Sequence, residues 1–149
     1  MNRDFVEMLS ALSEAGAEFL VVGAHAMAAH GVPRATGDLD LWVRANADNA
    51  GRVLIALERF GAPLFDLAAG DLASTGNVFQ IGQPPNRIDI LTSISGVDFD
   101  DAWKNRMTIE AGGLSVPVLG KQDFIRNKRA VGRPRDLRDL EMLAEFEGD

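Results

Sequence analysis

Apolar residues fall at helical spacing over Arg3 to Ala15, where Phe5, Met8, Leu9 and Leu12 share one face. That predicts an amphipathic helix laid on a core and closed by Gly16. Glu18-Phe19-Leu20-Val21-Val22 reads as a buried strand. Gly23 breaks it, and Ala24 to His30 reads as a short Ala-rich helix ended by Gly31. Val32 to Gly37 is a loop by its Pro and Gly. A strand follows over Asp38 to Arg44, then a helix capped by Asn46 or Asp48 and running to Phe60, with Val53, Leu54 and Leu57 facing inward. Gly61 to Gly76 shows no clear period. Asn77 to Ile81 and Arg87 to Leu91 read as strands joined by a turn over Gly82 to Asn86. Phe99 to Trp103 predicts a short helix. Met107 to Ala111 and Leu114 to Leu119 predict a strand pair around Gly112-Gly113, with Pro117 making the second an edge. A helix over Gln122 to Val131 stops at Gly132, and Pro134 suits the first turn of a last helix. This order predicts an α/β (α+β) class: one domain over residues 1–149, with a mixed β-sheet flanked by helices and two C-terminal helices.

Within this pattern two positions are out of place. Asp38 and Asp40 stand in the apolar run Gly37-Asp38-Leu39-Asp40-Leu41-Trp42-Val43. Asp is depleted in strands. Residues at i and i+2 point to one face, so both carboxylates lie side by side while Leu39, Leu41 and Val43 fill the other. Like charges held so close call for a cation. Asp89, in Arg87-Ile88-Asp89-Ile90-Leu91, is a third such residue. An all-oxygen donor set favours Mg2+ or Mn2+ over zinc. The bland alternative is a capping Asp38 with Asp40 and Asp89 on a solvated face.

Composition narrows the partners. Lys and Arg number 15 against 22 Asp and Glu, a formal charge of −7, which argues against broad non-specific nucleic-acid binding. Basic residues nevertheless crowd the last quarter, from Lys121 to Arg138. An acidic middle facing a basic end suits a phosphate-bearing substrate that needs a metal. With no cysteine, thiolate sites and disulfides are excluded. No signal peptide and no apolar run long enough to cross a bilayer is evident, so the expected location is the cytoplasm.

Gly23-Ala24 joins a strand to a helix, which leaves backbone N–H groups free at a helix start, and Gly23 would let a phosphate approach closely. Taken together, Gly23-Ala24, then Asp38-x-Asp40 on the next strand, then Asp89 on a later one resemble the minimal nucleotidyltransferase superfamily, with its polymerase-beta-like fold. Val21-Val22-Gly23-Ala24-His25-Ala26, Pro33 to Asp40 and Arg126-Asn127-Lys128-Arg129 are similar to prokaryotic stand-alone members such as abortive-infection-type toxins and antibiotic nucleotidyltransferases. The resemblance implies that a nucleoside triphosphate gives its nucleoside monophosphate to a hydroxyl of a small molecule, a tRNA or a protein. Asp38 and Asp40 would bind two ions and Asp89 one, with Asp89 also a candidate proton acceptor. Gly23 and the N–H of Ala24 would cradle the triphosphate. Ala24 departs from the usual Ser or Gly, so a hydroxyl contact to phosphate is lost.

Other candidates have plainer readings beside the functional one. Arg34 and Thr36 flank the Asp pair and could touch phosphate or simply close the loop. Lys128, on a helix expected to bury Ile125 and Val131, could reach phosphate or lie in solvent. Arg87 could pair with Asp89. His25 and His30 read as helix residues without a ligand role. Trp42 could stack on a base or pack at the rim. Arg133, Arg135, Asp136, Arg138 and Asp139 read as helix-surface pairs. Two rival functions remain: a catalytically degenerate nucleotide- or partner-binding module of a toxin–antitoxin pair, and a two-metal phosphohydrolase. A second copy of the chain or a toxin–antitoxin partner is a candidate for completing acceptor binding.

Overall fold

A computed structural model describes residues 2–32 and 37–147. Among them, six strands make one sheet: β1 (Phe19–Val22), β2 (Asp38–Val43), β3 (Val78–Ile81), β4 (Arg87–Leu91), β5 (Met107–Ala111) and β6 (Leu114–Val118). The helices are α1 (Arg3–Glu14), α2 (Gly23–Ala29), α3 (Ala47–Phe60), α4 (Ala69–Ala73), α5 (Phe99–Lys104), α6 (Lys121–Val131) and α7 (Pro134–Glu147). The α/β class and the mixed sheet flanked by helices are as the sequence predicts. No described helix is long and apolar enough to cross a membrane.

Strand order is β3-β4-β2-β1-β6-β5. β1 is antiparallel to β2, and β2 is parallel to β4. β1 is buried along its length, and β2 buries Leu39, Leu41 and Val43 fully on one face. Each such side chain contributes about 1.5–3 kcal/mol by leaving water. Helices α1 and α3 pack together, and Phe5, Met8, Leu9, Leu12, Val53 and Leu57 join the common core.

Local chemistry sets the helix ends. The Asn2 side chain accepts from the Phe5 N–H at 2.9 Å and starts α1. Asn46, rather than Asp48, caps α3 by accepting from Asn49 N–H at 2.8 Å. Asn49 is itself buried. Its Oδ1 accepts from Glu18 N–H at 2.7 Å, and its Nδ2 donates to the carbonyls of Glu18 and Arg44 at 3.0 and 2.9 Å. One side chain thus ties the start of α3 to the ends of β1 and β2.

Two expectations need correction. β6 is not an edge, because β5 lies outside it. Pro117 stands opposite Thr108 of β5, and β6 meets β1 at Val118, one residue beyond it, so Pro117 itself is not in register with β1. The unread stretch Gly61 to Gly76 contains α4, whose Asp71 side chain accepts from the Ala68 N–H at 2.9 Å and whose Leu72 is buried.

Candidate active site

The carboxylates meet through register. Asp40 on β2 pairs with Asp89 on β4, Asp38 pairs with Arg87, and Val22 on β1 faces Asp40 from the other side. Neighbours across parallel strands carry their side chains on one face. Asp38, Asp40, Arg87 and Asp89 therefore form one polar patch on a sheet whose other face is core. Asp89 is buried, while Asp38 and Asp40 are half-buried.

Gly23 completes the wall. Its φ of +68° is one that L side chains rarely adopt, and a Cβ there would collide with Asp40 Oδ2. The turn from β1 into α2 thus presses bare backbone against the Asp40 carboxylate. Ala24 follows in the first turn of α2.

Arg87 lies between two of the acids. Its Nη2 donates to Asp38 Oδ2 at 2.7 Å, and its Nε lies 3.2 Å from Asp89 Oδ1. The Nε contact lacks hydrogen-bond alignment, which leaves Arg87 Nε and Asp89 Oδ1 as buried polar atoms without a hydrogen-bond partner, while Nη2 also donates to Asp89 Oδ2 at a long 3.5 Å. Among the described residues, no three acidic or His side chains stand in a group able to hold a metal ion as they are.

One guanidinium does not balance three acids. Burial, then the charges of Asp89 and Asp38, push Asp40 up to about 6, with Arg87 opposing. Burial also raises Asp89, against the pull of Arg87. Nearby, His25 sits edge-on to Phe5, and burial lowers its pKa against the backbone of Asp38.

A cleft of about 750 Å³ opens beside Asp40. Gly23 and Ala24 line one side, and Ser93, Ser95, Lys128 and Arg135 stand among its other walls. The loop bearing the serines is fixed on α6: Asn127 Nδ2 donates to the Ser95 carbonyl at 2.9 Å, and Gly96, at φ +77°, leaves no room for a Cβ against Ala130 and Arg126.

Here the structure departs furthest from the expectation. Lys128 lines the cleft, but its Nζ lies 3.1 Å from Asp136 Oδ1 and 3.0 Å from Asp139 Oδ2. Asp136 and Asp139 are not helix-surface residues; they are 0% and 4% exposed. Arg133 adds a hydrogen bond from Nε to Asp136 Oδ2 at 2.7 Å. The buried positions of α6 are Asp123 and Phe124, with Ile125 half-buried and Val131 exposed. Trp42 is buried edge-on against Phe99 and has no face free for a base. His30 Nε2 bonds the Leu119 carbonyl at 2.8 Å. Arg34 and Thr36 lie outside the described residues.

No family model and no curated protein matches the sequence. In fold the chain is similar to a solved structure, a Thermotoga maritima protein provisionally named a nucleotidyltransferase, with a TM-score of 0.62, 15% identity, and coverage of 98% of this chain and 91% of that one. The fold is nucleotidyltransferase-like. Within that fold the acids, Gly23 and the cleft share one end of the sheet.

The sequence reading missed Asp136 and Asp139. A signal was there: residues 136, 139, 140 and 143 form one helical stripe, and Leu140 and Leu143 mark it as the inward face.

Proposed function

We propose that the chain is a divalent-cation-dependent nucleotidyltransferase that moves a nucleoside monophosphate from a nucleoside triphosphate to an acceptor hydroxyl. The observation that carries this reading is the register of β2 on β4, which sets Asp40 beside Asp89, with Asp38 on the same face and the Gly23 turn closing over Asp40.

The residues suit a hard cation. Every donor is a carboxylate oxygen, Asp89 Oδ1 is buried without a hydrogen-bond partner, and Asp40 is raised by neighbouring negative charge. Asp38 and Asp40 would hold two Mg2+ or Mn2+ ions and Asp89 one of them. Bound there, the ions would polarise the phosphates and offset their charge.

The chain's own groups do the rest. Gly23 and the Ala24 N–H receive the triphosphate at the turn into α2, close to Asp40. The cleft beside them is large enough for a nucleotide-sized ligand. The acceptor oxygen attacks the α-phosphorus, the bond to the bridging oxygen breaks, and pyrophosphate leaves with that electron pair. The acceptor's proton passes to Asp89. Arg135 supplies positive charge on the cleft wall. The acceptor is a hydroxyl of a small molecule, a tRNA end or a protein.

Labelled nucleoside triphosphates with Mg2+ and cell extract test the reading, run beside Asp40→Asn. Label transfer that the variant loses supports it. Release of free monophosphate without transfer favours a hydrolase. Two observations favour a second reading, a nucleotide- or partner-binding module such as half of a toxin–antitoxin pair: Ala24 brings no hydroxyl, and Arg87 holds two of the acids. Nucleotide affinity without turnover would select it.

A further inference from the structure

The acids that would hold a cation already have one between them. Arg87 comes from the same strand as Asp89, two residues earlier, and its side chain lies along that strand to reach Asp38 across the β2–β4 pair. The contact to Asp38 is a good hydrogen bond at 2.7 Å, whereas Asp89 is met only by a long Nη2 hydrogen bond of 3.5 Å to Oδ2 and a misaligned Nε ion pair of 3.2 Å to Oδ1. Arg87 is thus firmly held at one end and loosely at the other. Its side chain is 31% exposed, so a path into solvent is open to it.

A guanidinium and a divalent ion want the same oxygens. Arginine binds carboxylates through a planar fork, and a metal ion needs their lone pairs at close range. Asp38 Oδ2 cannot serve a guanidinium at hydrogen-bond distance and an ion at coordination distance from the same side. As the side chains stand, no trio of acidic or His residues among the described residues closes around an ion, so binding one requires the carboxylates to move.

We propose that Arg87 is a resident counter-ion that occupies the space between Asp38 and Asp89 in the metal-free protein and is expelled when a divalent ion binds. The inference rests on the proposed metal-dependent reading and goes beyond it by assigning a competitor inside the site. In the metal-free chain Arg87 offsets part of the repulsion among three acids. On metal binding the guanidinium leaves, because the ion carries twice its charge in a smaller volume. Arg87 therefore sets how much free cation the site needs, and it is a positioning residue for the carboxylates rather than a catalytic one.

The test is Mn2+ binding by calorimetry without nucleotide, on wild type, Arg87→Met, Arg87→Lys and Asp40→Asn. Removing a unit charge about 4 Å from the ion is expected to tighten Mn2+ binding about tenfold or more in Arg87→Met. Arg87→Lys keeps the charge without the fork and should fall between. Unchanged or weaker binding in Arg87→Met overturns the proposal while leaving the metal site standing. Absence of Mn2+ binding to wild type, Arg87→Met and Arg87→Lys alike overturns the metal-dependent reading, and the proposal with it.

A measurement on the wild type guards against a variant that fails to fold. The Arg87 Nε–H resonance should shift and lose its exchange protection as Mg2+ saturates the site. A resonance unmoved by saturating Mg2+ overturns expulsion, whatever the affinities show.

Discussion

Two ionic clusters face the same cleft, and they are opposites. On the strands, Asp40 and Asp89 are pushed up by burial, and one guanidinium, held firmly only at Asp38, serves three acids. On the helices, hydrogen bonds from Arg133 and then Lys128 hold Asp136 below the ordinary carboxylate range, despite its burial. Both clusters are made of Asp with Arg or Lys. The difference lies in the balance of charge. Asp136 and Asp139 have two cations aimed at them and need nothing further, so they join α7 to α6. The strand acids are short of positive charge, so they have something left to bind. Unbalanced charge in a cleft marks a site, and balanced charge marks a joint.

The sharpest way to break this contrast is to neutralise each cluster in turn. Asp40→Asn should lower label transfer about a thousandfold or more while leaving the protein folded, because the lost group acts on the transition state. Lys128→Met should do the reverse. It leaves two buried aspartates short of a cation and should cost about 3–5 kcal/mol of folding stability, read by urea denaturation. Transfer in the surviving folded fraction should be largely retained. Were Lys128→Met to abolish transfer at unchanged stability, the helical cluster would be part of the chemistry and the contrast would fail.

That contrast also explains what could be read from the chain. The strands, the helix starts and the acid pair were legible because each is a local fact. Asp in an apolar run, Asn46 before a helix and Gly23 after a strand are visible within a few residues. The pairing of Asp40 with Asp89 is a matter of register, inferable only through resemblance, and it appears directly as β2 beside β4. The balance of charge was not legible. Arg87 and Lys128 look alike in sequence, each a basic residue near acids. Whether one is half-held or fully held depends on distances across strands and helices. Asp136 and Asp139 read as surface because acids usually are. Only their stripe with Leu140 and Leu143 argued otherwise.

Acidity should separate the clusters by the sign of their slopes. With Asp40 raised from 3.8 to about 6, the folded metal-free protein holds this proton more tightly than the unfolded chain does. Stability from this group therefore falls as pH rises from about 4 to about 6, by on the order of 2 kcal/mol. Asp136 is depressed, so its contribution is present at neutral pH and lost as pH drops below about 4. In EDTA, Asp40→Asn should stabilise the protein at pH 8 and do little at pH 4. Asp136→Asn should destabilise it at pH 8 and progressively less toward pH 3. Parallel pH profiles for the two variants would mean that the strand acids are already balanced.

The smallest effect probes the wall of the cleft between the clusters. Ala24 lines the cleft in the first turn of α2, directly after the glycine that closes on Asp40. A phosphate received there would meet backbone N–H groups and, with Ala24, no hydroxyl. Ala24→Ser adds one donor at the cost of one polar atom in a half-exposed position, so stability should move by less than about 0.5 kcal/mol. A net hydrogen bond of about 0.5–1.5 kcal/mol corresponds to a KM for the triphosphate lowered by roughly two- to tenfold. Because the bond forms in both the bound and the transition state, kcat should stay the same. An unchanged KM would mean that the triphosphate does not lie on the Gly23 turn, and that Asp40 meets its substrate from the side of the serine loop instead.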